Sequence, residues 1–221
     1  MLTKTGILVD TDKIIDCLPT MDVGKHELST PTGDFFYDPW QLKPEYVGTE
    51  LEVLFNRLER PGQVRVNVLK EGHCYQQHSD IDDRYHLSLD GVECYLIDLS
   101  NGQMFPTTKD HHVYEMDAGR LHSAANFGYY PRCQLVIRKL LQRNKLSNPV
   151  SVALKATPVP RLRYNFDQTF SVWLNKSNKL GTISNFNKRS ETHISFDIES
   201  ANLNEVEQLV DQSGLPIEII L

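Results

Sequence analysis

The chain has 221 residues, enough for one large domain or for one medium domain with a small appendage. Its 40% hydrophobic and 24% charged residues are typical of a globular protein with a buried core, and no stretch approaches the roughly 20 apolar residues that a membrane helix needs. The formal net charge of −6 argues against a general nucleic-acid binder, and an N-terminus without a signal-peptide pattern favours a cytoplasmic protein.

Taken in chain order, the hydrophobic pattern predicts one helix followed by a series of short strands. Apolar residues recur at helical spacing over residues 49–58, and Pro61-Gly62 follows the end of this helix. Alternating or β-branched runs then predict strands over residues 64–69, 85–89, 92–99, 113–116 and 133–138. The dipeptide Asp90-Gly91 predicts a hairpin turn between the second and third strands. Short strands separated by frequent turns indicate a sandwich or barrel.

The character of the sequence changes after Asn148-Pro149. Pro158 and Pro160 indicate a linker or an edge, and the segment beyond them predicts strands over residues 169–174 and 193–198, a helix over residues 202–211 and a strand over residues 216–221. We therefore expect two parts, residues 1–148 with the main β domain and an N-terminal extension, and residues 149–221 as a small α+β C-terminal segment.

Three residues have the spacing of a metal site. His78 and Asp80 are two apart, so on an extended strand both side chains would point to one side. His122 follows the Ala118-Gly119 turn and could supply a third ligand from a neighbouring strand. Two imidazoles and one carboxylate form the facial triad of non-haem Fe(II) oxygenases. The rival pair His111-His112 is interpreted as loop surface, because adjacent strand residues point to opposite faces.

Around these residues the chain resembles a family, the Fe(II)/2-oxoglutarate-dependent oxygenases, and within it the aspartyl/asparaginyl β-hydroxylase-like and proline-hydroxylase-like group. The resemblance lies in HSDIDDRYHLSL (78–89), DAGRLHSAANFG (117–128) and RCQL (132–135), and it covers roughly residues 60–140. It implies a mainly β fold, a double-stranded β-helix of the jelly-roll or cupin type with flanking helices.

The resemblance also implies a role for each matching residue. The implied iron ligands are His78, Asp80 and His122. Arg132 would pair with the distal carboxylate of the co-substrate 2-oxoglutarate, for which the planar fork of a guanidinium is suited. The other implied co-substrate-binding residues are Arg84 and His86. Asn126 matches a polar position that serves packing, a turn or a substrate contact.

The implied function is an Fe(II)- and 2-oxoglutarate-dependent dioxygenase that uses dioxygen to hydroxylate an amino acid or an amino-acid residue in a protein. One alternative is a cupin-like metal-binding or sensor protein without 2-oxoglutarate turnover. Another is a cupin-type dioxygenase or isomerase that needs no 2-oxoglutarate. In all three cases the partner is a small-molecule or protein substrate, and neither a membrane nor a nucleic acid is expected.

The basic residues are concentrated in the C-terminal half. Residues 121–221 carry 12 Lys and Arg against 8 Asp and Glu, and all twelve basic residues lie within residues 132–189. We interpret this run as a basic face that is exposed to solvent. The alternative hypothesis is that it forms a docking surface for an acidic partner or a polyanion.

Overall fold

The computed structural model describes residues 1–157, 162–190 and 192–221. The linker predicted at Pro158 and Pro160 lies outside these residues. The chain divides into two compact units, one made of Met1–Gln77 and Asp82–Leu140 and the other of His78–Ile81 and Leu141–Leu221.

The first unit is built almost entirely from antiparallel strands. Its elements in chain order are β1 (Leu2–Leu8), α1 (Thr11–Asp16), β2 (Gly24–Glu27), β3 (Ser29–Pro31), β4 (Trp40–Leu42), α2 (Glu50–Arg57), β5 (Pro61–Leu69), β6 (Arg84–Asp90), β7 (Cys94–Asp98), β8 (Gln103–Pro106), β9 (His112–Met116), β10 (His122–Asn126) and β11 (Arg132–Lys139). The helix predicted over residues 49–58 is confirmed as α2, and the run that begins at Cys133 is confirmed as a strand.

Two sheets form the centre of this unit. The larger sheet has the order β1-β9-β6-β11-β5-β2 and the smaller sheet the order β10-β7-β8, and a bridge between Cys74 and Ala125 adds a further segment beside β10. From β5 to β11 the chain passes repeatedly from one sheet to the other, and the eight segments involved form a jelly roll. The predicted fold class, a mainly β double-stranded β-helix with flanking helices, is confirmed.

The predicted hairpin at Asp90-Gly91 is wrong. Strand β6 pairs with β11 and β9 in the larger sheet, whereas β7 pairs with β10 and β8 in the smaller sheet. The turn therefore carries the chain across the barrel instead of joining neighbouring strands. The hairpin lies one connection later, between β7 and β8, where Asp98 is paired with Gln103.

The main hydrophobic core lies on the outer face of the larger sheet. Val64, Val66 and Val68 of β5 pack there with Leu135 and Ile137 of β11 and with apolar residues of α1 and α2. Because strand side chains alternate, the intervening residues of β5 and β11 point to the opposite face. That face looks into the space between the two sheets, called here the barrel interior.

A smaller apolar cluster lies in the barrel interior and joins the two sheets. It contains Met116 at the end of β9, Leu96 of β7, Ala124 of β10 and the nearby Ala118. Much of the remaining inward-facing surface of β5, β6 and β11 is polar and buried: Gln63, Asn67, Arg84, His86, Ser88, Arg132 and Gln134. A buried face with this composition is suited to a polar ligand rather than to packing alone.

The second unit has the element order βαββαβ. The elements are β12 (Pro149–Ala156), α3 (Leu162–Leu180), β13 (Ile183–Ser190), β14 (His193–Glu199), α4 (Leu203–Ser213) and β15 (Ile217–Ile220), and the sheet order is β13-β14-β12-β15. This order of elements is that of a ferredoxin-like fold. The prediction that the C-terminal segment has an α+β fold is confirmed.

One predicted element of this unit is wrong. Residues 169–174 form part of α3, not a strand. Phe170 and Leu174, both buried, lie four residues apart and so share one face of the helix. The predicted helix over residues 202–211 is confirmed as α4, which ends at Gly214 with a φ of +62°, a conformation that glycine adopts without strain. In the described part of the chain no helix has the length and apolar character needed to span a membrane.

Candidate metal centre and anion-binding interior

The structure brings the predicted triad together. One possible ligand atom from each of His78, Asp80 and His122 lies within 4.8 Å of the other two. The Nε2 atom of His78 is 3.6 Å from Oδ2 of Asp80. Among the described residues no other group of three His, Cys, Asp or Glu side chains meets this criterion, and the rival residues His111 and His112 belong to none.

Strand β10 fixes the orientation of His122. The ring is 5% exposed and its Nδ1 atom is 2.7 Å from the carbonyl oxygen of Arg120. Because a carbonyl oxygen only accepts, Nδ1 carries the proton and Nε2 is left with the lone pair that a metal needs. The Arg120 guanidinium in turn lies 2.7 Å from Asp98, which is fully buried and is the cross-strand partner of His122. Asp98 and His122 therefore lie side by side on one face of the smaller sheet, and the ion pair holds the residue whose carbonyl oxygen accepts from His122.

The segment that carries His78 and Asp80 is not part of a named strand, contrary to the extended strand that the sequence analysis assumed. It is anchored by Tyr75, whose N–H donates to the Ala124 carbonyl (2.8 Å) and whose carbonyl accepts from the Ser123 hydroxyl (2.6 Å). Both residues nevertheless place a possible ligand atom within 4.8 Å of one in His122.

The donor set fits a divalent transition metal. Two neutral imidazoles and one carboxylate suit Fe(II), and Mn, Co, Ni and Zn can take the same ligands. Three protein ligands would leave further coordination positions of such a metal open to other ligands. His78 and Asp80 are half-buried, so a small molecule can reach the site.

Arg132 lies in the barrel interior without a carboxylate partner. The residue is 2% exposed; its Nε donates to Thr107 Oγ1 (3.2 Å) and its Nη2 to Gln134 Oε1. No acidic side chain of the described residues forms an ion pair with it. Burial lowers the pKa of Arg132 to about 10, so the guanidinium remains charged at neutral pH. A buried cation without a counter-ion is costly, which indicates a site for an anion.

His86 provides a second sign of a ligand. It is 7% exposed, and neither ring nitrogen has a hydrogen-bond partner among the residues that the structure describes. Burial lowers the pKa of His86 well below its usual value, and the positive charges of Arg132 and Arg84 lower it further. The ring is therefore neutral at physiological pH, and it faces a cationic interior with one unsatisfied N–H donor and one unsatisfied acceptor. Buried polar groups of this kind normally have a partner.

The third predicted co-substrate residue, Arg84, lies on the same strand as His86 and two residues before it. Its Nη2 is 3.8 Å from Oδ1 of the buried Asp82. Asp82 accepts a bidentate pair from Arg138, at 2.6 Å from Nε and 2.5 Å from Nη2, and the Arg138 guanidinium stacks on Phe35 at 4.4 Å. Arg138 is thus a partly buried arginine with a carboxylate partner, unlike Arg132 on the same strand, which has none among the described residues.

Asn126 has a structural role. It is fully buried; its amide donates to the carbonyl oxygens of Leu69 (3.1 Å) and Tyr130 (2.8 Å), and its Oδ1 accepts from the Gly128 N–H at 3.0 Å. These bonds hold the loop between β10 and β11. Of the three roles suggested for Asn126, namely packing, a turn and a substrate contact, the structure therefore supports a role in the turn.

We expect Asn126→Ala to lower the free energy of unfolding by about 2–4 kcal/mol, since it leaves several buried backbone groups without partners. Urea unfolding measures the loss. Asn101→Ala is the matched control, because Asn101 accepts one bond from the Gln103 N–H in an exposed turn. Equal losses in the two variants would contradict the structural role.

Several residues of the interior were not found from the sequence. Gln134 carries a detectable signal, since it lies two residues after Arg132 and so shares its face of β11. Thr107 carries none, because it reaches Arg132 from another part of the chain.

Comparison with known proteins adds little. No family model matches the sequence, and no curated protein matches it. Two solved structures of CapF are similar, one the capsular polysaccharide assembling protein from Staphylococcus aureus and one in complex with the inhibitor 3-isopropenyl-tropolone. Each is 13% identical with a TM-score of 0.31, and the alignment covers 52% of this chain and 31% of that chain. The fold assignment therefore stands on the strand order described above.

Proposed function

We propose that the protein is a non-haem Fe(II)- and 2-oxoglutarate-dependent dioxygenase that hydroxylates an amino acid or an amino-acid residue in a protein. The observation that carries the proposal is the combination of a two-histidine, one-carboxylate triad with a buried arginine that has no carboxylate partner in the described chain. A metal alone would not require that arginine, whereas a co-substrate with a second, distal carboxylate would.

In this proposal His78, Asp80 and His122 hold the iron, and Arg132 binds the distal carboxylate of 2-oxoglutarate. With dioxygen, the bound iron supplies an oxidation in which 2-oxoglutarate becomes succinate and carbon dioxide, and a substrate C–H bond becomes C–OH. Thr107 and Gln134 orient the guanidinium of Arg132. A neutral His86 donates a hydrogen bond to the co-substrate without adding another charge.

The apolar residues of the interior have a separate role. Met116, Leu96 and Ala124 line the smaller cluster between the sheets and keep water away from bound groups. A low local dielectric strengthens the attraction between Arg132 and a carboxylate. The positively charged interior thus selects a dianionic co-substrate over a neutral one.

Anaerobic titration tests the proposal. Purified protein is loaded with Fe(II), 2-oxoglutarate is added, and the metal-to-ligand charge-transfer band in the visible region is recorded. We expect a band that requires both components, and no band with glutarate, which lacks the keto oxygen. On admission of air, succinate should form slowly even without the substrate. Iron binding without a band would overturn the assignment.

The second candidate is a cupin-like metal-binding or sensor protein without 2-oxoglutarate turnover, which the triad and the jelly roll alone would support. It predicts that Mn(II) raises the melting temperature and that 2-oxoglutarate adds no further increase. The dioxygenase predicts a further increase that depends on the concentration of 2-oxoglutarate. A cupin-type enzyme that needs no 2-oxoglutarate would in addition keep its activity in Arg132→Ala.

A further inference from the structure

Helix α3 carries buried polar side chains in its last two turns. Asn175 and Asn178 are each 4% exposed, although asparagine is a poor helix former. The two residues lie three apart and so share one face of the helix. Burying an amide is costly unless it is hydrogen-bonded. The partners of these two side chains therefore indicate what this face of α3 does.

The two asparagines bind different segments of the chain. Asn178 forms a pair of bonds with the backbone of Gln142, accepting from its N–H at 3.2 Å and donating to its carbonyl oxygen at 3.0 Å. The amide of Asn175 donates to the carbonyl oxygen of Ile81 at 3.0 Å, in a bond that is shielded from solvent. Asn178 thus fixes the segment that leads into β12, whereas Asn175 fixes the residue that directly follows Asp80.

The segment that carries His78 and Asp80 belongs to the second unit. Its residues group with the ferredoxin-like unit instead of with the strands on either side of them in the chain. The backbone bonds of Tyr75 anchor the segment three residues before His78, and the amide of Asn175 anchors it one residue after Asp80. The two anchors bracket both ligands.

We infer that Asn175 is a positioning residue for the metal ligand Asp80, so that the ferredoxin-like unit takes part in metal binding. The inference rests on the proposed function for the metal site and adds to it a role for the second unit. Because the segment lies outside the named strands, a side-chain bond supplies support that strand pairing gives elsewhere. A carboxylate that is fixed before the metal arrives loses less conformational entropy on binding it.

The test uses Co(II), which takes the same ligands as Fe(II). We expect Asn175→Leu, which keeps the size of the side chain and removes the amide, to weaken Co(II) binding about 10-fold, as loss of a partner behind a ligand does. The visible absorption of bound Co(II) should also change, because the carboxylate is no longer held in one geometry.

Asn178→Leu is the matched control. It removes an equally buried amide from the same helix, and with it two bonds to the Gln142 backbone. It should therefore lower the melting temperature at least as much as Asn175→Leu does. Its Co(II) affinity and its Co(II) absorption should match those of the wild type.

Hydrogen exchange of the wild-type protein is a second measurement, and it decides the question if Asn175→Leu does not fold. Saturation with Co(II) should slow the exchange of backbone amides in α3 around Asn175, because the bond to Ile81 joins the ligand segment to that helix. Exchange in α4 should be unchanged.

Each outcome is assigned in advance. Wild-type Co(II) affinity in a folded Asn175→Leu protein, or exchange in α3 that Co(II) leaves unchanged, overturns the inference and leaves the dioxygenase intact. Equal losses of affinity in Asn175→Leu and Asn178→Leu show a general effect of destabilisation and likewise overturn it. If the wild-type protein binds neither Co(II) nor Fe(II), the proposed function itself is wrong, and the role of Asn175 falls with it.

Discussion

His122→Ala is expected to weaken binding of Fe(II) or Mn(II) by more than about 100-fold without unfolding the jelly roll. Loss of a supporting partner behind a ligand already costs about 10- to 100-fold in metal affinity, and this change removes a ligand itself. The position lies at the first residue of β10, where a short side chain leaves the ladder to β7 in place. Competition with a chelator measures the affinity, and circular dichroism reports the fold.

His73→Ala is the control for this experiment. His73 lies five residues before His78, is exposed, and bonds through Nδ1 to the carbonyl oxygen of Glu71. Its removal should leave the metal affinity unchanged. Unchanged metal affinity in His122→Ala, measured beside this control, would mean that the metal binds elsewhere.

Arg132→Met is expected to reduce 2-oxoglutarate binding by more than about 100-fold while Fe(II) binding persists. A hydrogen-bonded charge pair that loses one buried partner typically costs 2–5 kcal/mol, or about 30- to several thousand-fold in affinity. The same variant should keep its free energy of unfolding within about 1 kcal/mol of wild type, or exceed it, because it removes a buried cation that no carboxylate of the described residues neutralises. Calorimetric titration and urea unfolding measure the two quantities.

Arg138→Met is the matched comparison on the same strand. Its guanidinium forms the bidentate pair with Asp82, and its removal leaves that buried carboxylate without its strongest partner. We expect a loss of about 3–5 kcal/mol of stability. If Arg132→Met destabilised the protein as much as Arg138→Met does, the anion-binding role of Arg132 would be untenable.

The sequence predicted β5 and β11 because their pattern is local. Val64, Val66 and Val68 alternate with polar residues, and the β-branched run in β11 is short, so both carry the signature of a strand. The strands β1 and β2 at the edges of the larger sheet were missed, since their residues are partly exposed and show no apolar alternation. Helix α3 was misread because Phe170, Val172 and Leu174 also alternate at a spacing of two.

The candidate site could be predicted in part. The spacing of His78, Asp80, His122 and Arg132 lies along the chain and can be read from it. The contact of Thr107 with Arg132 cannot, because it depends on how distant segments pack. The solvent exposure of the basic residues within 132–189 was likewise not predictable from the sequence, because it depends on which of them are buried or paired in the fold. Arg132 is buried, Arg138 pairs with Asp82, and Lys139 pairs with Glu59 and Glu115. These three residues therefore do not belong to a solvated basic face.

Because the main core lies on the outer face of the larger sheet, the residues that stabilise the fold are separate from the residues that face the barrel interior. Residues that hold the sheet together, such as Val66 and Leu135, alternate along the same strands with residues that face the ligand, such as Asn67 and Gln134. A substitution at an inward position alters what is recognised and leaves the packing behind the sheet as it was. Ligand preference is therefore open to laboratory evolution at little risk to folding, provided that changes are confined to the inward-facing residues of β5, β6 and β11 and spare Arg138 and its pair with Asp82.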